Sequence, residues 1–198
     1  MRKIQLVIKR CIDFIVSLLL IIILMPLLLI LSLAIVLESK GSPIFKQERI
    51  GYKGENFLIY KFRTMVQNAE QMGNGLFVYD GSDNRITKVG KFLRSTSLDE
   101  LPQLFNVLSG RMSIVGPRPP VTYHPYKGYE CYPKRYKKRF DMRPGITGLA
   151  QVKLRNSATW DERIEVDLKY IENYSILLDI KIVLKTFFSM FYQETYTD

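Results

Sequence analysis

The 198-residue sequence is poor in the side chains that build metal clusters and covalent cross-links. It contains two cysteines, Cys11 and Cys131, and one histidine, His124. A structural zinc site needs about four Cys or His ligands, and a disulfide framework needs several cysteine pairs, so both are excluded. A nucleophilic Cys–His pair stays formally possible, although no spacing indicates one. Any catalysis is therefore expected to rely on carboxylates, lysines, arginines, hydroxyls or a hard metal ion held by oxygen.

The chain is also too short for two ordinary domains and too apolar for a disordered protein, because 47% of its residues are hydrophobic and 24% are charged. It shows no internal repeat and no Gly-rich strand-to-helix fingerprint of the kind that binds dinucleotides. These absences leave one domain with enough apolar material for a core.

Residues 14–37 lack charge altogether, and this run of 24 residues is long enough to be embedded in a membrane. It exceeds the roughly 7 to 15 apolar residues of a signal peptide and has no small-residue cleavage site, so it is expected to stay on the mature protein. Residues 1–37 are therefore interpreted as a basic N-terminus with a membrane helix. Residues 38–198 are interpreted as a basic, water-facing domain, with 25 basic and 18 acidic side chains.

Pro26 lies at the middle of the apolar run and cannot donate the backbone hydrogen bond that a continuous helix needs there. Each half of the run would rise about 18 Å, close to one leaflet of a hydrocarbon core about 30 Å thick. A helix that breaks at Pro26 and leaves on the side it entered fits these lengths. A single spanning helix that tolerates the proline fits them equally well. Basic residues flank both ends, so the positive-inside rule gives no polarity, and both flanks are expected to be cytoplasmic.

The water-facing domain is predicted to be α+β, with short strands. Residues 57–60 and 112–115 are the best strand candidates. Residues 68–84 contain several glycines and Asp or Asn side chains and predict a loop. Asp80 and Asp83 in that loop could contact a cation, although a calcium site needs more oxygen ligands, so a simple turn is favoured.

Two amphipathic helices are predicted near the C-terminus. Each has one stripe of apolar side chains. The stripe of the first helix is expected to pack in the core, and Glu165 and Asp167 on that helix are expected to face solvent. The second stripe fits a helix that lies in the membrane interface as well as a core helix. The first stripe consists of Trp160, Ile164, Leu168 and Ile171, and the second of Ile176, Leu177, Ile180, Val183, Leu184, Phe187, Phe188 and Phe191.

Asp99 and Glu100 are the main candidate functional residues. They precede a predicted helix over residues 101–108, which is expected to stop at Gly110. Ser97 followed three residues later by Glu100 is the capping-box pattern, so both acids can be interpreted as helix caps. The same position would keep a carboxylate ionised and attract phosphate, so Asp99 could attack phosphorus and Glu100 could hold Mg²⁺. Spacing alone favours the caps.

Arginines near this helix are placed as a phosphate site would need them. Arg94 lies five residues before Asp99, and Arg118 lies in the proline-rich sequence GPRPP at residues 116–120. The prolines restrict the backbone and could fix the direction of the Arg118 guanidinium. A rigid turn without any binding role explains the same sequence equally well.

A second basic run covers residues 134–143 and is interleaved with aromatic side chains. In a soluble protein such a run would suggest nucleic acid. Next to a membrane anchor, anionic lipid headgroups are the more economical partner, and no nucleic acid is expected. A merely solvated face is the alternative. The basic residues are Lys134, Arg135, Lys137, Lys138, Arg139 and Arg143.

Six sequence blocks together resemble the bacterial sugar transferases, the small monotopic phosphoglycosyl transferases that start lipid-linked glycan assembly. Any one block would be weak evidence, but six in this order over nearly the whole chain are specific. Leu149 departs from the aromatic residue expected at its position. The blocks are the basic N-terminus with its proline-interrupted helix, PIFKQERIG (43–51), KFRTM (61–65), STSLDELPQLFNVLSGRMSIVGPRP (95–119), RPGITGLAQV (143–152) and DLKYIENYS (167–175).

The resemblance implies a helix that re-enters on the cytoplasmic face of the bacterial inner membrane, followed by a cytosolic catalytic domain with interfacial helices. It also implies transfer of a phosphosugar from a UDP-sugar to polyprenyl (undecaprenyl) phosphate, with release of UMP, as the first membrane step in making a capsule, an exopolysaccharide or a glycoprotein. Asp99 would form a covalent Asp-phosphosugar intermediate, and Glu100 would be its partner and a ligand of the Mg²⁺ cofactor. The residues assigned to phosphate or nucleotide binding are Lys61, Arg63, Arg94, Arg118 and Arg143.

The chain lacks the additional spanning helices of larger family members, so it resembles the catalytic core alone. Neither the sugar nor the oligomeric state follows from these blocks. Two alternatives stay open. A conventional glycosyltransferase would release UDP, but it would need a larger nucleotide-binding domain. A non-enzymatic membrane adaptor that binds anionic lipids or a partner would explain the basic face, but it would leave Asp99 and Glu100 without a role.

Overall fold

A computed structural model describes residues 2–72, 83–154 and 158–191. The described part of the chain has seven α-helices and two small β-sheets, so the predicted α+β class is confirmed. Asp80, one of the two aspartates that could contact a cation, lies outside the described residues. Asp83 is described, and its Oδ2 lies 2.6 Å from an Nη2 atom of Arg85.

The first helix, α1, extends over Arg2–Glu38 and includes Pro26. The predicted break at Pro26 is not found, because the loss of one backbone hydrogen bond does not end a helix whose other turns are kept. The helix is long and apolar enough to cross a membrane. Only 22% of its most apolar window is buried against the domain, so most of its apolar surface is left uncovered.

The β-strands form two separate pairs. β1 (Ile44–Ile50) and β2 (Asn56–Phe62) are antiparallel. β3 (Ser113–Val115) and β4 (Gly145–Thr147) are parallel. The strand predictions at residues 57–60 and 112–115 are confirmed by β2 and β3.

Six further helices surround these strands. They are α2 (Lys88–Ser95), α3 (Gln103–Leu108), α4 (Lys134–Lys137), α5 (Leu149–Lys153), α6 (Trp160–Glu172) and α7 (Ile176–Phe191). The predicted stop after residue 108 is confirmed, since Gly110 has φ +81°, a left-handed conformation that favours glycine.

The two C-terminal helices differ in exposure. In α6, Ile164, Leu168 and Ile171 are buried as predicted, whereas Trp160, the first residue of the predicted stripe, is only partly buried. In α7, only Ile182 is fully buried among the apolar side chains of the helix that the structure describes. Its exposed apolar residues are Leu177, Ile180, Val183, Leu184, Phe187 and Phe188.

The prediction that Asp167 faces solvent is wrong. Asp167 is 2% exposed, and its Oδ2 lies 2.7 Å from Nη2 of Arg139, which is equally buried. A charge excluded from water needs a partner, and this pairing also removes Arg139 from the basic face predicted for residues 134–143. Glu165 differs from Asp167, because it forms an ion pair of 2.6 Å with the exposed Arg135.

Candidate active site

Asp99 and Glu100 lie in one short 3₁₀ turn, Leu98–Glu100, between α2 and α3. Ser97, immediately before it, has φ +56° and ψ +16°, and its side chain makes no capping hydrogen bond. An N-cap residue normally has an extended backbone, so the predicted capping box is wrong. α3 begins only after Pro102, which leaves both carboxylates available for other contacts.

Two cations from different segments hold Glu100. Lys61 of β2 donates to Glu100 Oε1 at 2.7 Å, and Arg118 Nη2 lies 3.5 Å from the same oxygen. Burial raises the pKa of Glu100, but the charges of Lys61 and Arg118 outweigh that effect, so the pKa is lowered overall. Glu100 is therefore ionised at neutral pH, as a metal ligand must be.

Asp99 has the opposite shift. Its Oδ2 lies 4.0 Å from Lys61 Nζ. Burial is the main cause of its raised pKa and the charge of Glu100 adds to it, whereas Lys61 and Arg94 act against the shift. Adjacent acids whose pKa values are pushed apart are typical of sites in which the two have different roles. A poorly hydrated carboxylate is also a stronger nucleophile once it is ionised.

Helix α2 places Arg94 at this site. Arg94 Nε donates to Thr64 Oγ1 at 2.8 Å. Thr87 begins the helix, because its Oγ1 accepts from the Gly90 amide at 2.9 Å. A Cβ added at Gly90 would lie 2.0 Å from the carbonyl oxygen of Thr64. Only glycine therefore allows α2 to approach Thr64 closely enough for the Arg94 contact.

A cavity of about 860 Å³ lies beside the β1–β2 hairpin, with Asp99 in its wall. Three of the predicted cations, Lys61, Arg63 and Arg94, line it together with Arg49. The cavity also has an aromatic lining, formed by Phe45, Tyr123, His124 and Trp160. A concave site with aromatic walls and a few charged groups is typical of small-molecule binding.

Sequence analysis missed Arg49 as a cavity residue, although it belongs to the PIFKQERIG block. Arg49 donates to the carbonyl oxygen of Pro119 at 3.0 Å. Burial, together with the charge of Arg118, lowers the pKa of Arg49 to about 10, so it remains a cation at neutral pH. The only sign in the sequence that Arg49 could line a binding cavity was its position in the charged PIFKQERIG block.

The structure does not bring all predicted cations to Asp99. Arg63 lines the cavity, but its guanidinium donates to the carbonyl oxygens of Ser39 and Lys40, just beyond the C-terminus of α1. Arg143 lines a different, smaller cavity, and its Nε donates to the carbonyl oxygen of Gly110 at 2.8 Å. Lys61, Arg94 and Arg118 are therefore the predicted cations that the structure places around the acid pair.

The donor set can be compared with what Mg²⁺ requires. No group of three or more His, Cys, Asp or Glu side chains suited to a metal occurs within residues 2–72, 83–154 and 158–191. Mg²⁺ often binds one or two carboxylates together with substrate phosphates instead of a complete protein cage. Glu100 fits that mode, since both cations that hold it contact one of its oxygens, Oε1.

Comparison with known proteins identifies the class to which this fold and site belong. Residues 4–193 match the family described as bacterial sugar transferase. The chain therefore belongs to the bacterial sugar transferase family, as its six sequence blocks predicted.

Three relatives are described as sugar-phosphate transferases. A UDP-glucose:undecaprenyl-phosphate glucose-1-phosphate transferase of Klebsiella pneumoniae is 45% identical over 95% of this chain and 41% of its own length. An enzyme of the same name from Caulobacter vibrioides is 44% identical over 90% of this chain and 67% of its own. A UDP-N-acetylgalactosamine-undecaprenyl-phosphate N-acetylgalactosaminephosphotransferase of Aeromonas hydrophila is 44% identical over 90% of this chain and 42% of its own. The chain thus spans about two fifths of the length of the Klebsiella and Aeromonas relatives.

Proposed function

We propose that this chain is a phosphoglycosyl transferase that moves a phosphosugar from a UDP-sugar to polyprenyl (undecaprenyl) phosphate and releases UMP. The observation that carries the proposal is the acid pair, Asp99 and Glu100, whose pKa values are shifted in opposite directions, with Asp99 in the wall of a cavity lined by cations. The names of the relatives support the donor and acceptor classes. They differ in the sugar, so the sugar is left open.

In the first step, a carboxylate oxygen of Asp99 attacks the phosphorus that carries the sugar. An O–P bond forms to Asp99, and the P–O bond to UMP breaks, so UMP leaves with that electron pair. The product is a covalent Asp-phosphosugar intermediate. Lys61 and Arg94, whose charges act on Asp99, would stabilise the negative charge that moves onto the leaving group.

In the second step, an oxygen of the lipid phosphate attacks the same phosphorus. The bond to Asp99 breaks, its carboxylate is regenerated, and the lipid leaves as a polyprenyl-diphosphate sugar. This step requires the Asp99 carboxylate to be a good leaving group, and a carboxylate leaves readily from an acyl phosphate. Two displacements at one phosphorus let donor and acceptor use the same cationic groups in turn.

Glu100 would be the protein ligand of Mg²⁺, with the diphosphate of the donor completing the coordination. When bound, Mg²⁺ neutralises charge on the diphosphate and on the leaving group. Lys61 and Arg118 hold Glu100 Oε1 and so orient the carboxylate, which leaves Oε2 to offer to the cation. Lys61 therefore acts on both acids, because it orients Glu100 and its charge lowers the pKa of Asp99.

We also propose that α1, although unbroken at Pro26, has both of its ends on the cytoplasmic face of the inner membrane. The domain contacts both ends of the helix: Arg10 donates to the carbonyls of Val107 and Leu108, and Glu38 accepts from the Lys88 and Val89 amides. A spanning helix would place these ends on opposite sides of a core about 30 Å thick. One small domain that contacts both ends supports a single face.

Helix α7 supports the same membrane position. Its exposed apolar side chains lie on a helix that Lys9 of α1 joins through a 2.6 Å ion pair to Asp179. An apolar face next to a membrane helix is typical of a helix in the interface plane. The domain would then rest on the bilayer, where a polyprenyl phosphate can reach Asp99.

The decisive experiment is nucleotide release from a panel of UDP-sugars by the detergent-solubilised chain with Mg²⁺ and polyprenyl phosphate. We expect UMP release that Asp99→Asn lowers by at least about 10³-fold, since the loss of a covalent nucleophile removes the reaction path. Asp141→Asn, which alters an exposed acid, is the matched control and should retain the wild-type rate.

Other outcomes would contradict the proposal in distinct ways. Release of UDP would assign the chain to the conventional glycosyltransferases. Full UMP release by Asp99→Asn would exclude the covalent path. No release with any UDP-sugar, from folded protein that binds membranes, would favour the adaptor.

A further inference from the structure

The C-terminal end of α3 collects arginine side chains that lie apart from the candidate active site. Arg10 of α1 donates from Nη1 to the Val107 carbonyl at 2.7 Å and from Nη2 to the Leu108 carbonyl at 2.9 Å. Arg143 donates from Nε to the Gly110 carbonyl at 2.8 Å. Two guanidinium groups from distant parts of the chain thus meet at one helix end.

A second cavity, of about 250 Å³, lies beside this helix end. Arg111 and Arg143 line it, and it shares no lining residue with the 860 Å³ cavity. The Arg143 guanidinium lies 5.2 Å from the centre of the Tyr52 ring, and Lys53 Nζ lies 5.4 Å from the same ring. We name Arg10, Arg111 and Arg143 the arginine cluster.

Acidic side chains balance this charge only in part. Glu55 lines the second cavity, but its carboxylate is 3.5 Å from Arg111 and both groups are largely exposed, so the pair is weak. Across the described ranges, no ion pair involves Arg10 or Arg143. Burial is the main cause of the lowered pKa of Arg10, and the charge of Arg143 adds to it, whereas the charge of Asp13 acts against the shift.

Capping α3 explains only part of the cluster. Cations at a helix C-terminus are favourable, because they interact with the free carbonyls. Each guanidinium, however, carries five N–H groups, whereas the caps use one of Arg143 and two of Arg10. The remaining donors, together with the exposed Arg111, suit an acceptor that carries several oxygens and a negative charge.

The position of the cluster identifies the source of such an acceptor. Arg10 lies just before the apolar run of α1. Met142, next to Arg143, belongs to the same core as Leu6 of α1 and Ile182 of α7, the two helices with exposed apolar faces. The cluster therefore lies where these helices would meet the bilayer surface.

We propose that the arginine cluster binds the phosphate of an anionic phospholipid headgroup. The inference rests on the proposed membrane position of α1. A guanidinium fork matches two phosphate oxygens in a way that an ammonium group does not, so arginine is the suitable residue type. A bound headgroup would attach the end of α3 to the bilayer, and the catalytic turn directly precedes α3.

The test is lipid preference, which is measured without any turnover. The full chain in a neutral detergent is mixed with equal amounts of phosphatidylglycerol and phosphatidylcholine, and native mass spectrometry gives the ratio of bound lipids. We expect the wild type to retain phosphatidylglycerol selectively. Arg111→Gln and Arg143→Lys should each reduce that selectivity about tenfold, as expected for the loss of one charged hydrogen bond.

Lys169→Gln is the matched control, since it removes one charge from an exposed side chain of α6, outside the arginine cluster and outside the basic run of residues 134–143. It should leave the lipid ratio and UMP release unchanged. Arg143→Lys keeps the charge and removes only the planar guanidinium, and a thermal melt of each variant shows that it is folded. A wild type without lipid preference, or equal losses in Arg111→Gln and Lys169→Gln, would overturn the proposal.

A third arm titrates inorganic phosphate. Suppose that inorganic phosphate raises the melting temperature of the wild type but not of Arg111→Gln, and that the wild type does not select phosphatidylglycerol. The cluster would then be a site for soluble phosphate, and the lipid assignment would be overturned. UMP release by wild-type protein that shows no lipid selectivity would overturn this inference alone and leave the proposed reaction intact.

Discussion

The two ends of α1 are attached to the domain by different kinds of contact. Towards the C-terminus, Leu28, Leu31 and Ile35 pack against Phe62 and Leu93 in one apolar cluster. Such side chains are compatible with lipid as well as with protein, so the packing does not fix how deep the helix lies in a bilayer.

The N-terminal end adds buried charged groups to its apolar contact through Leu6, whereas the polar contacts at the C-terminal end, such as those of Glu38, are exposed. Lys9 pairs with Asp179 at 2.6 Å, and buried Asp13 accepts from Ser113 Oγ at 2.7 Å and from the Ile114 amide at 3.1 Å. A buried polar group whose partners are removed is costly, so these contacts specify one rotation and one depth of the helix. The comparison teaches that the buried charged groups near the N-terminus fix the register of the helix on the domain, which the apolar packing near the C-terminus does not do.

The largest expected effect is on cysteine labelling at the two ends of α1, because each end is either labelled or fully protected. Cys11 is exposed near the N-terminal end of α1, and Lys40→Cys would add a thiol just beyond its C-terminal end. In a Cys131→Ser background, a membrane-impermeant maleimide should label both positions in inverted inner-membrane vesicles, because both ends are proposed to lie on the cytoplasmic face. Labelling is read by the mass shift of the protein.

Native Cys131 in the water-facing domain is the control for that experiment. A Cys11→Ser chain should be labelled only at Cys131, from the cytoplasmic side. Protection of one end of α1 and labelling of the other would show a spanning helix and remove the premise that both ends share one face.

A smaller effect is expected on stability. Asp13→Asn should lower the free energy of unfolding by about 1.5–3 kcal/mol, because it weakens hydrogen bonds to a charged acceptor. Ile35→Val at the apolar end should cost only about 0.5–1.5 kcal/mol, because it removes one buried methyl group. Thermal unfolding in one detergent measures both, with Asp141→Asn as the exposed control. A greater loss from Ile35→Val would reverse the ranking of the two ends.

The smallest expected effect is on the pH dependence of the rate at the candidate active site, which lies towards the C-terminal end of α1. Asp99 must be ionised to attack, and its pKa is raised, so the rate should fall with decreasing pH at a higher pH than for an ordinary aspartate. Lys61→Met removes a charge that lowers this pKa and should move the acid limb to higher pH. Glu100→Gln removes a charge that raises it and should move the limb to lower pH.

The measurement is kcat/KM for UMP release as a function of pH. Lys46→Met changes another cavity lysine, one that does not contribute to the Asp99 shift, and should leave the limb in place. Shifts of the same sign in Lys61→Met and Glu100→Gln would contradict the assignment of the limb to Asp99.

Local patterns predicted the elements that depend on local rules. The apolar run at residues 57–60, the apolar stripe of α6 and the stop at Gly110 could be predicted, since each follows from residues close in sequence. The acid pair was also visible, but its capping interpretation failed because Ser97 adopts a left-handed conformation that the pattern does not encode.

Contacts between distant segments were not predictable from the single sequence. The pairing of Asp167 with Arg139 and the place of Arg49 in the cavity wall depend on how helices and strands pack. The separation of Arg143 from Asp99 has the same origin, because a block of sequence shows which residues are charged but not which cavity they line.

The buried pair of Arg139 and Asp167 also constrains a third residue. Nη2 of Arg139 donates both to Asp167 and to the backbone carbonyl of Arg118, whose guanidinium faces Glu100. A change at position 139 or 167 is therefore expected to displace Arg118 and with it one of the two cations that hold Glu100. Over evolution, positions 139 and 167 are expected to change together or not at all, so their covariation would report on the Glu100 site from a buried pair that does not contact Glu100.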